Sequence, residues 1–226
     1  MNYRIRIVDL HIVDALETKW AQIGFSESMA LHYRLRNTRI NIVSHYCWDI
    51  QSLKSVIKTI MSYRVLYRHP RRAIPYLHIA SHGIRDGLSL GDSTPLPWSA
   101  LSECLLPLQR LIDYTLPLSL SSCHGFYGYQ LACQGMAGYE KKRPYYSLVG
   151  PKHRLKTREL FEAYAEFYLY LLHRYTSIKV AIDAANKKIS KPAAYLDFSL
   201  GAEVQRNFEA QNSTDEVVAV RRKQNS

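Results

Sequence analysis

The stretch PYLHIASHGIRDGLSLGD, residues 75–92, contains a short apolar run that stops at a histidine and a glycine. The run YLHIA, residues 76–80, predicts a β-strand, and Ser81-His82-Gly83 predicts its end. Open α/β sheets place their chemistry in the crevice beyond the carboxyl ends of their strands. A second apolar run of this kind, LPLSLSSCHGFYG at residues 116–128, carries Cys123, 41 positions after the histidine. The two runs therefore predict two strands whose carboxyl ends carry candidate functional residues, His82 and Cys123.

Strand patterns alternate with helical patterns along the rest of the chain. Further strands are predicted over residues 2–13, 38–49, 146–150 and 193–201, and helices over residues 49–67, 97–113, 158–175 and 176–189. This alternation predicts an α/β fold with a central, mainly parallel sheet of about six strands and helices on both faces. Consecutive units of this kind usually place their strands side by side.

The helices carry apolar positions at helical spacing. Asp49 is predicted to cap the first of them, and Pro97 to open the second. The predicted buried stripes are Leu53, Val56 or Ile57, and Ile60 in the first helix; Trp98, Leu101, Leu105 and Leu108 in the second; and Phe161, Tyr164, Tyr168, Leu171 and Tyr175 in the third.

The length of 226 residues suits one large α/β domain with a modest extension, and a hydrophobic content of 47% is typical of a globular protein. The helix-like stretch near the N-terminus is interrupted by Gly24. We therefore predict an N-terminal extension over residues 1–39, a single α/β domain over residues 40–212 and a basic tail over residues 213–226.

The sequence offers no segment for membrane insertion or secretion. No run reaches the roughly 18 apolar residues that a spanning helix needs. The N-terminus MNYRIRIVDLH lacks the apolar region of a secretory signal. We expect a cytosolic protein without a membrane partner.

The net charge of +11 is unevenly distributed. Residues 73–140 hold two basic against five acidic side chains, whereas both flanking segments are strongly basic. A nucleic-acid enzyme would place its basic patch around its site. The distribution therefore favours a solvated basic surface over a nucleic-acid partner.

The four cysteines follow no paired spacing, so a disulfide framework is not expected. A zinc site at Cys123, His124 and Cys133 is the other reading of this segment. It lacks the C-x-x-C or H-x-x-x-H spacing that most zinc sites use, and we expect no metal or other cofactor.

The two strand ends bring together residues suited to acyl transfer. A thiol such as that of Cys123 becomes a strong nucleophile beside a base, and the imidazole of His82 titrates in the range that this role needs. The N–H groups of Gly83 and Cys123 could donate to a substrate oxyanion. His124 is the rival base, and His78 is expected to pack in the core or against a helix.

The segments YLHIASHG, GLSLGD, W..L and LSLSSCHG resemble the caspase-like cysteine peptidases, and most closely the bacterial CHAT-type branch that is related to separase. The resemblance covers about residues 40–200. It implies that His82 is the general base and acid and that Cys123 is the nucleophile, with the oxyanion hole at Gly83 and Cys123. Caspases proper carry Gln-Ala-Cys-x-Gly, whereas this chain has Ser121-Ser122-Cys123-His124-Gly125, which argues against a true caspase.

The resemblance implies a protein substrate cleaved through a thioester on Cys123. The acidic middle segment suggests that Asp86, Asp92 or Asp113 binds a basic substrate side chain. We expect control by a separate protein partner, by autocleavage or by assembly, and relatives of this type often serve in bacterial antiviral defence or cell death. The alternative is a catalytically silent caspase-like module that binds a protein partner or nucleic acid.

Overall fold

The computed structural model describes residues 8–16, 26–66, 75–113, 115–131, 145–190, 195–200 and 203–204. Its eight strands are β1 (Val8–Ala15), β2 (Ile40–Tyr46), β3 (Tyr76–Ile84), β4 (Gly87–Ser89), β5 (Pro95–Pro97), β6 (Pro117–Ser121), β7 (Ser147–Pro151) and β8 (Leu196–Leu200). Its five α-helices are α1 (Glu27–Leu35), α2 (Ile50–Leu66), α3 (Trp98–Leu111), α4 (Thr157–Tyr168) and α5 (Ile178–Asn186).

Six strands form the central sheet in the order β2-β1-β3-β6-β7-β8. The first five run parallel, and β8 pairs antiparallel with β7. The short strands β4 and β5 form a hairpin attached to β3. The prediction of a mainly parallel sheet of about six strands within an α/β fold is confirmed.

Helices cover both faces of the sheet, as predicted. Helices α2 and α3 pack on one face, and α1, α4 and α5 pack on the other. The side chains of β3 divide between them, with Leu77 and Ile79 in the first core and Tyr76 at the second, because successive strand residues point to opposite faces. Among the described residues, no helix combines the length and the apolarity that a membrane crossing requires.

Strand β1 occupies an internal position between β2 and β3, and all of its residues from Val8 to Ala15 are buried. Residues 8–15 are therefore part of the sheet, and the expected separation of residues 1–39 as an extension does not hold for them. The strand was predicted over residues 2–13, and its apolar positions Tyr3, Ile5 and Ile7 lie outside the described residues.

The apolar stripes predicted for α2 and α3 are buried. Asp49 caps α2, because its Oδ1 accepts a hydrogen bond from the N–H of Ser52 at 2.7 Å. The α4 stripe is partly wrong. Tyr175 is 59% exposed, while Phe167 and Leu172 are buried. A π-helical turn over Leu169–His173 follows α4, and its wider winding rotates the later residues away from the predicted stripe.

Strand β3 runs further than its sequence pattern predicts. It continues through His82 to Ile84, because residues 82–84 leave the parallel ladder and pair antiparallel with β4. The parallel pairing with β6 ends at Ala80 and Ser121. Strands β3 and β6 thus separate at the carboxyl edge of the sheet, which is where the candidate site lies.

Candidate active site

The structure places His82, Gly83 and Cys123 together at the carboxyl edge of two adjacent strands. Ala80 of β3 lies opposite Ser121 of β6, so His82 and Cys123 each lie two residues beyond the last paired position. A Cβ atom added at Gly83 would lie 1.9 Å from the carbonyl oxygen of Cys123. The backbones of residues 83 and 123 are therefore in direct contact.

Cys123 is the most accessible of the three described cysteines. Its residue is half-buried, whereas Cys47 is 1% exposed and Cys104 is 4% exposed. Burial raises the pKa of both the Cys47 and the Cys104 thiols, which keeps them protonated and weakly nucleophilic near neutral pH. Exposure and location both distinguish Cys123 as the candidate nucleophile.

His82 is exposed beside Cys123, and within the described chain no hydrogen bond joins their side chains. Catalytic hydrogen bonds are often long in structures without substrate and tighten when it binds.

The turn after Cys123 is tight. His124 adopts a left-handed conformation with a φ of 62°, and a 3-10 turn follows over Gly125–Tyr129. A Cβ atom at Gly125 would lie 2.3 Å from the carbonyl oxygen of Leu120. The sharp turn expected at Gly125 therefore begins one residue earlier, and the glycine is needed for close packing against β6.

His124, the rival base, is directed towards the end of β7. Its Nδ1 lies 3.2 Å from the carbonyl oxygen of Lys152, and its ring packs edge-on against Tyr127 with 6.0 Å between centroids. Because a carbonyl only accepts, Nδ1 carries the proton and donates it. This contact commits His124 to the β7 side of the site, away from His82 on β3.

Two of the three candidate substrate-binding acids follow β3. Asp86 is exposed in the turn between β3 and β4. Asp92 is exposed in the β4–β5 loop, where its carboxylate accepts from the N–H of Thr94 at 2.8 Å and from its hydroxyl at 2.6 Å. The loop is anchored by the N–H of Asp92, which donates to the carbonyl of Trp48.

Asp113 lies apart from these two. It follows α3 with a φ of 52°, just before the start of β6. Cys123 lies beyond the opposite end of that five-residue strand, which spans about 17 Å. Asp113 is therefore at the amino edge of the sheet and does not join the candidate site.

Sequence patterns missed a buried acid beneath the site. Glu27, the first residue of α1, is 2% exposed and accepts hydrogen bonds from His78 and Ser121. A glutamate in the first turn of a helix ordinarily indicates a surface position that favours the helix dipole. His78 is buried against α1 and α4, as expected.

The described residues contain no group of three or more histidine, cysteine, aspartate or glutamate side chains placed to hold a metal ion. Cys133, a member of the zinc set considered for the sequence, lies outside the described residues.

Comparison with solved structures places this architecture in a known class. The chain is similar to iotapain, a secreted C11 cysteine protease from Bacteroides thetaiotaomicron, with a TM-score of 0.56 and 10% sequence identity over 88% of this chain and 68% of that chain. The likeness shows a caspase-like α/β fold. No family model and no curated protein matches the sequence.

Proposed function

We propose that this protein is a cysteine endopeptidase of the caspase-like class, with Cys123 as nucleophile and His82 as general base and acid. The observation that carries the proposal is the placement of an accessible cysteine beside a histidine-glycine pair at adjacent strand ends of a caspase-like sheet. The other two described cysteines are buried and lie elsewhere.

The proposed reaction begins when His82 removes the thiol proton of Cys123. The thiolate attacks the carbonyl carbon of the substrate peptide bond, a C–S bond forms, and the π electron pair moves to the oxygen. The N–H groups of Gly83 and Cys123 donate to this oxyanion. The intermediate collapses, the C–N bond breaks, and His82 gives its proton to the leaving amine.

Hydrolysis of the thioester completes the cycle. His82 removes a proton from water, the resulting hydroxide attacks the thioester carbon, and the C–S bond breaks after the second tetrahedral intermediate. The departing sulfur recovers the proton from His82. The products are a carboxylic acid and the restored thiol, so the cycle balances without a metal or an organic cofactor.

For substrate recognition, we propose that Asp86 and Asp92 favour a basic side chain next to the cleaved bond. Both acids are exposed on the segment that follows His82, and a carboxylate in that position would pair with arginine or lysine. Asp113 is excluded from this role because it lies at the amino edge of the sheet.

Membership of the CHAT-type branch and a role in bacterial defence or cell death are further parts of the proposal, supported by the sequence resemblance. A cytosolic location is a separate part of the proposal and does not rest on that resemblance. An accessible catalytic thiol in the cytosol would need control, so a protein partner, autocleavage or assembly is expected to regulate it. These parts can each fail without affecting the proposed chemistry.

The test is hydrolysis of a peptide library by the purified protein, with and without cell extract to supply an activator. Cys123→Ser and Cys123→Ala serve as inactive controls, and mass spectrometry of a slow substrate would detect the acyl group on residue 123. Cleavage that depends on Cys123 supports the endopeptidase. Absence of both cleavage and acylation under every condition would favour the catalytically silent interaction module.

A further inference from the structure

Glu27, His78 and Ser121 form a buried hydrogen-bonded group directly beneath the candidate site, here called the Glu27 clamp. Oε1 of Glu27 lies 2.7 Å from Oγ of Ser121 and 3.0 Å from Nε2 of His78. Each of the three residues is no more than 2% exposed. The clamp joins α1, β3 and β6, which are remote in sequence.

The donors and acceptors of the clamp are mutually consistent. The hydroxyl of Ser121 and the Nε2–H of His78 both donate to the Glu27 carboxylate. Nδ1 of His78, 2.8 Å from the hydroxyl of Tyr168, then accepts from that hydroxyl. The carboxylate thus has two donors in an interior where an unpaired charge would be costly.

Glu27 is itself held firmly. Asp14, near the end of β1, accepts from the hydroxyl of Ser26 and from the backbone N–H of Ser28. These two hydrogen bonds fix the residues on either side of Glu27 to Asp14. The first turn of α1 is therefore fixed to the carboxyl edge of β1, and the position of the Glu27 carboxylate follows from that attachment.

The clamp acts where the sheet provides no further support. Ser121 is the last residue of β6, and its pairing with Ala80 is the last rung of the β3–β6 ladder. Beyond it the chain turns through Ser122 to Cys123 without a strand partner. The Ser121–Glu27 hydrogen bond is a side-chain restraint at the point where the nucleophile's segment leaves the sheet.

We propose that Glu27 is a positioning residue that acts through Ser121 to hold Cys123 at the correct place relative to His82. The inference depends on the proposed peptidase function. It predicts that loss of the Ser121 hydroxyl weakens the dependence of Cys123 reactivity on His82, beyond any loss of stability.

The test uses the full chain and compares Ser121→Ala with Ser119→Ala. Ser119 is also a buried hydroxyl on β6 and lies on the same face, but among the described residues no hydrogen bond joins it to Glu27. The rate of alkylation of Cys123 by iodoacetamide is measured from pH 5 to 9, with His82 present and replaced by alanine in each background. The ratio of the two rates measures the coupling between His82 and Cys123.

We expect Ser121→Ala to reduce the coupling ratio about tenfold and to move the pH profile towards that of His82→Ala, because small misplacements of catalytic groups have effects of at least this size. Ser119→Ala should retain the wild-type ratio and profile. Glu27→Gln, which keeps the side-chain shape, should lower the ratio as Ser121→Ala does.

Equal ratios in wild type, Ser121→Ala and Ser119→Ala, in proteins that melt cooperatively, would overturn the positioning role. A parallel reduction in both serine variants would also overturn it, because the effect would then be general loosening of β6. If wild-type Cys123 shows no dependence on His82 at all, the proposed peptidase function itself fails, and this outcome is distinct from the other two.

Discussion

The backbone of Gly83 lies against the carbonyl group of Cys123, so closely that an added Cβ atom would be 1.9 Å from the oxygen. This contact joins the residue after the candidate base to the candidate nucleophile. It explains why a glycine occupies position 83, since any side chain would push the two strand ends apart. The geometry of the site therefore depends on a backbone contact as well as on its chemical groups.

Gly83→Ala should reduce peptidase activity at least tenfold, because the clash displaces Cys123. The destabilisation should be about 1–3 kcal/mol, as for other overpacked positions. Gly87→Ala is the matched control, since its Cβ atom would lie 2.3 Å from the carbonyl oxygen of Leu96 in the β4–β5 hairpin. If Gly83→Ala retains full activity while melting normally, the contact is not needed for the site.

His82→Ala should lower kcat about 10²- to 10⁴-fold, the usual contribution of a general base and acid. His124→Ala should change kcat less than threefold, because its imidazole is engaged with the Lys152 carbonyl. Steady-state kinetics on one peptide substrate distinguishes the two histidines. A larger loss in His124→Ala than in His82→Ala would reverse the assignment of the base.

Asp86→Ala and Asp92→Ala should each raise KM for substrates with arginine or lysine at the cleaved bond, with little effect on substrates with neutral residues there. The loss of one exposed charge pair should raise KM about two- to fivefold. Asp113→Ala, at the opposite edge of the sheet, should behave like wild type. A preference for acidic or neutral residues in the wild type would contradict the role given to the two acids.

The stability of the fold should decrease in mild acid through His11. Burial, together with the neighbouring His45, lowers the pKa of His11 to about 4 despite the opposing effect of Asp9. Because the unfolded chain binds more protons between pH 6.5 and 4, the stability present above pH 6.5 is lost as the pH falls towards 4. The full contribution is about 3 kcal/mol.

Urea unfolding at pH 7.5 and 5.0 measures this effect. His11→Phe, which keeps the ring, should reduce the difference between the two pH values, whereas replacement of the exposed His32 by glutamine should leave it unchanged. The same pH dependence in wild type and His11→Phe would show that other groups cause the acid instability.

Much of this fold follows from local sequence patterns. Two apolar runs each predict a strand end, one at Ser81-His82-Gly83 and the other at Ser122-Cys123. Parallel pairing of the two strands then brings these ends to one edge of the sheet. Their adjacency could be inferred because only a hairpin and one helix separate β3 from β6. The helical spacing of apolar residues also predicts the buried stripe of α3 correctly.

Other features depend on tertiary contacts that the sequence does not display. Strand β1 lies between β2 and β3 in the sheet, so the order of these strands in the sheet differs from their order in the sequence. No local sequence pattern encodes that spatial order. Glu27 has the local pattern of a surface residue, and its burial arises from partners 51 and 94 positions away. The extension of β3 to Ile84 likewise requires pairing with β4.

The most direct test of the central claim is the labelling of Cys123 by an iodoacetamide or acyloxymethyl-ketone probe near neutral pH. Wild type, His82→Ala and Cys123→Ala are compared, with the modified residues identified by mass spectrometry. We expect fast labelling of Cys123 that slows markedly in His82→Ala, while Cys47 and Cys104 react only after unfolding. Labelling of Cys123 at the rate of the buried cysteines, even with cell extract added, would contradict the peptidase and support the interaction module.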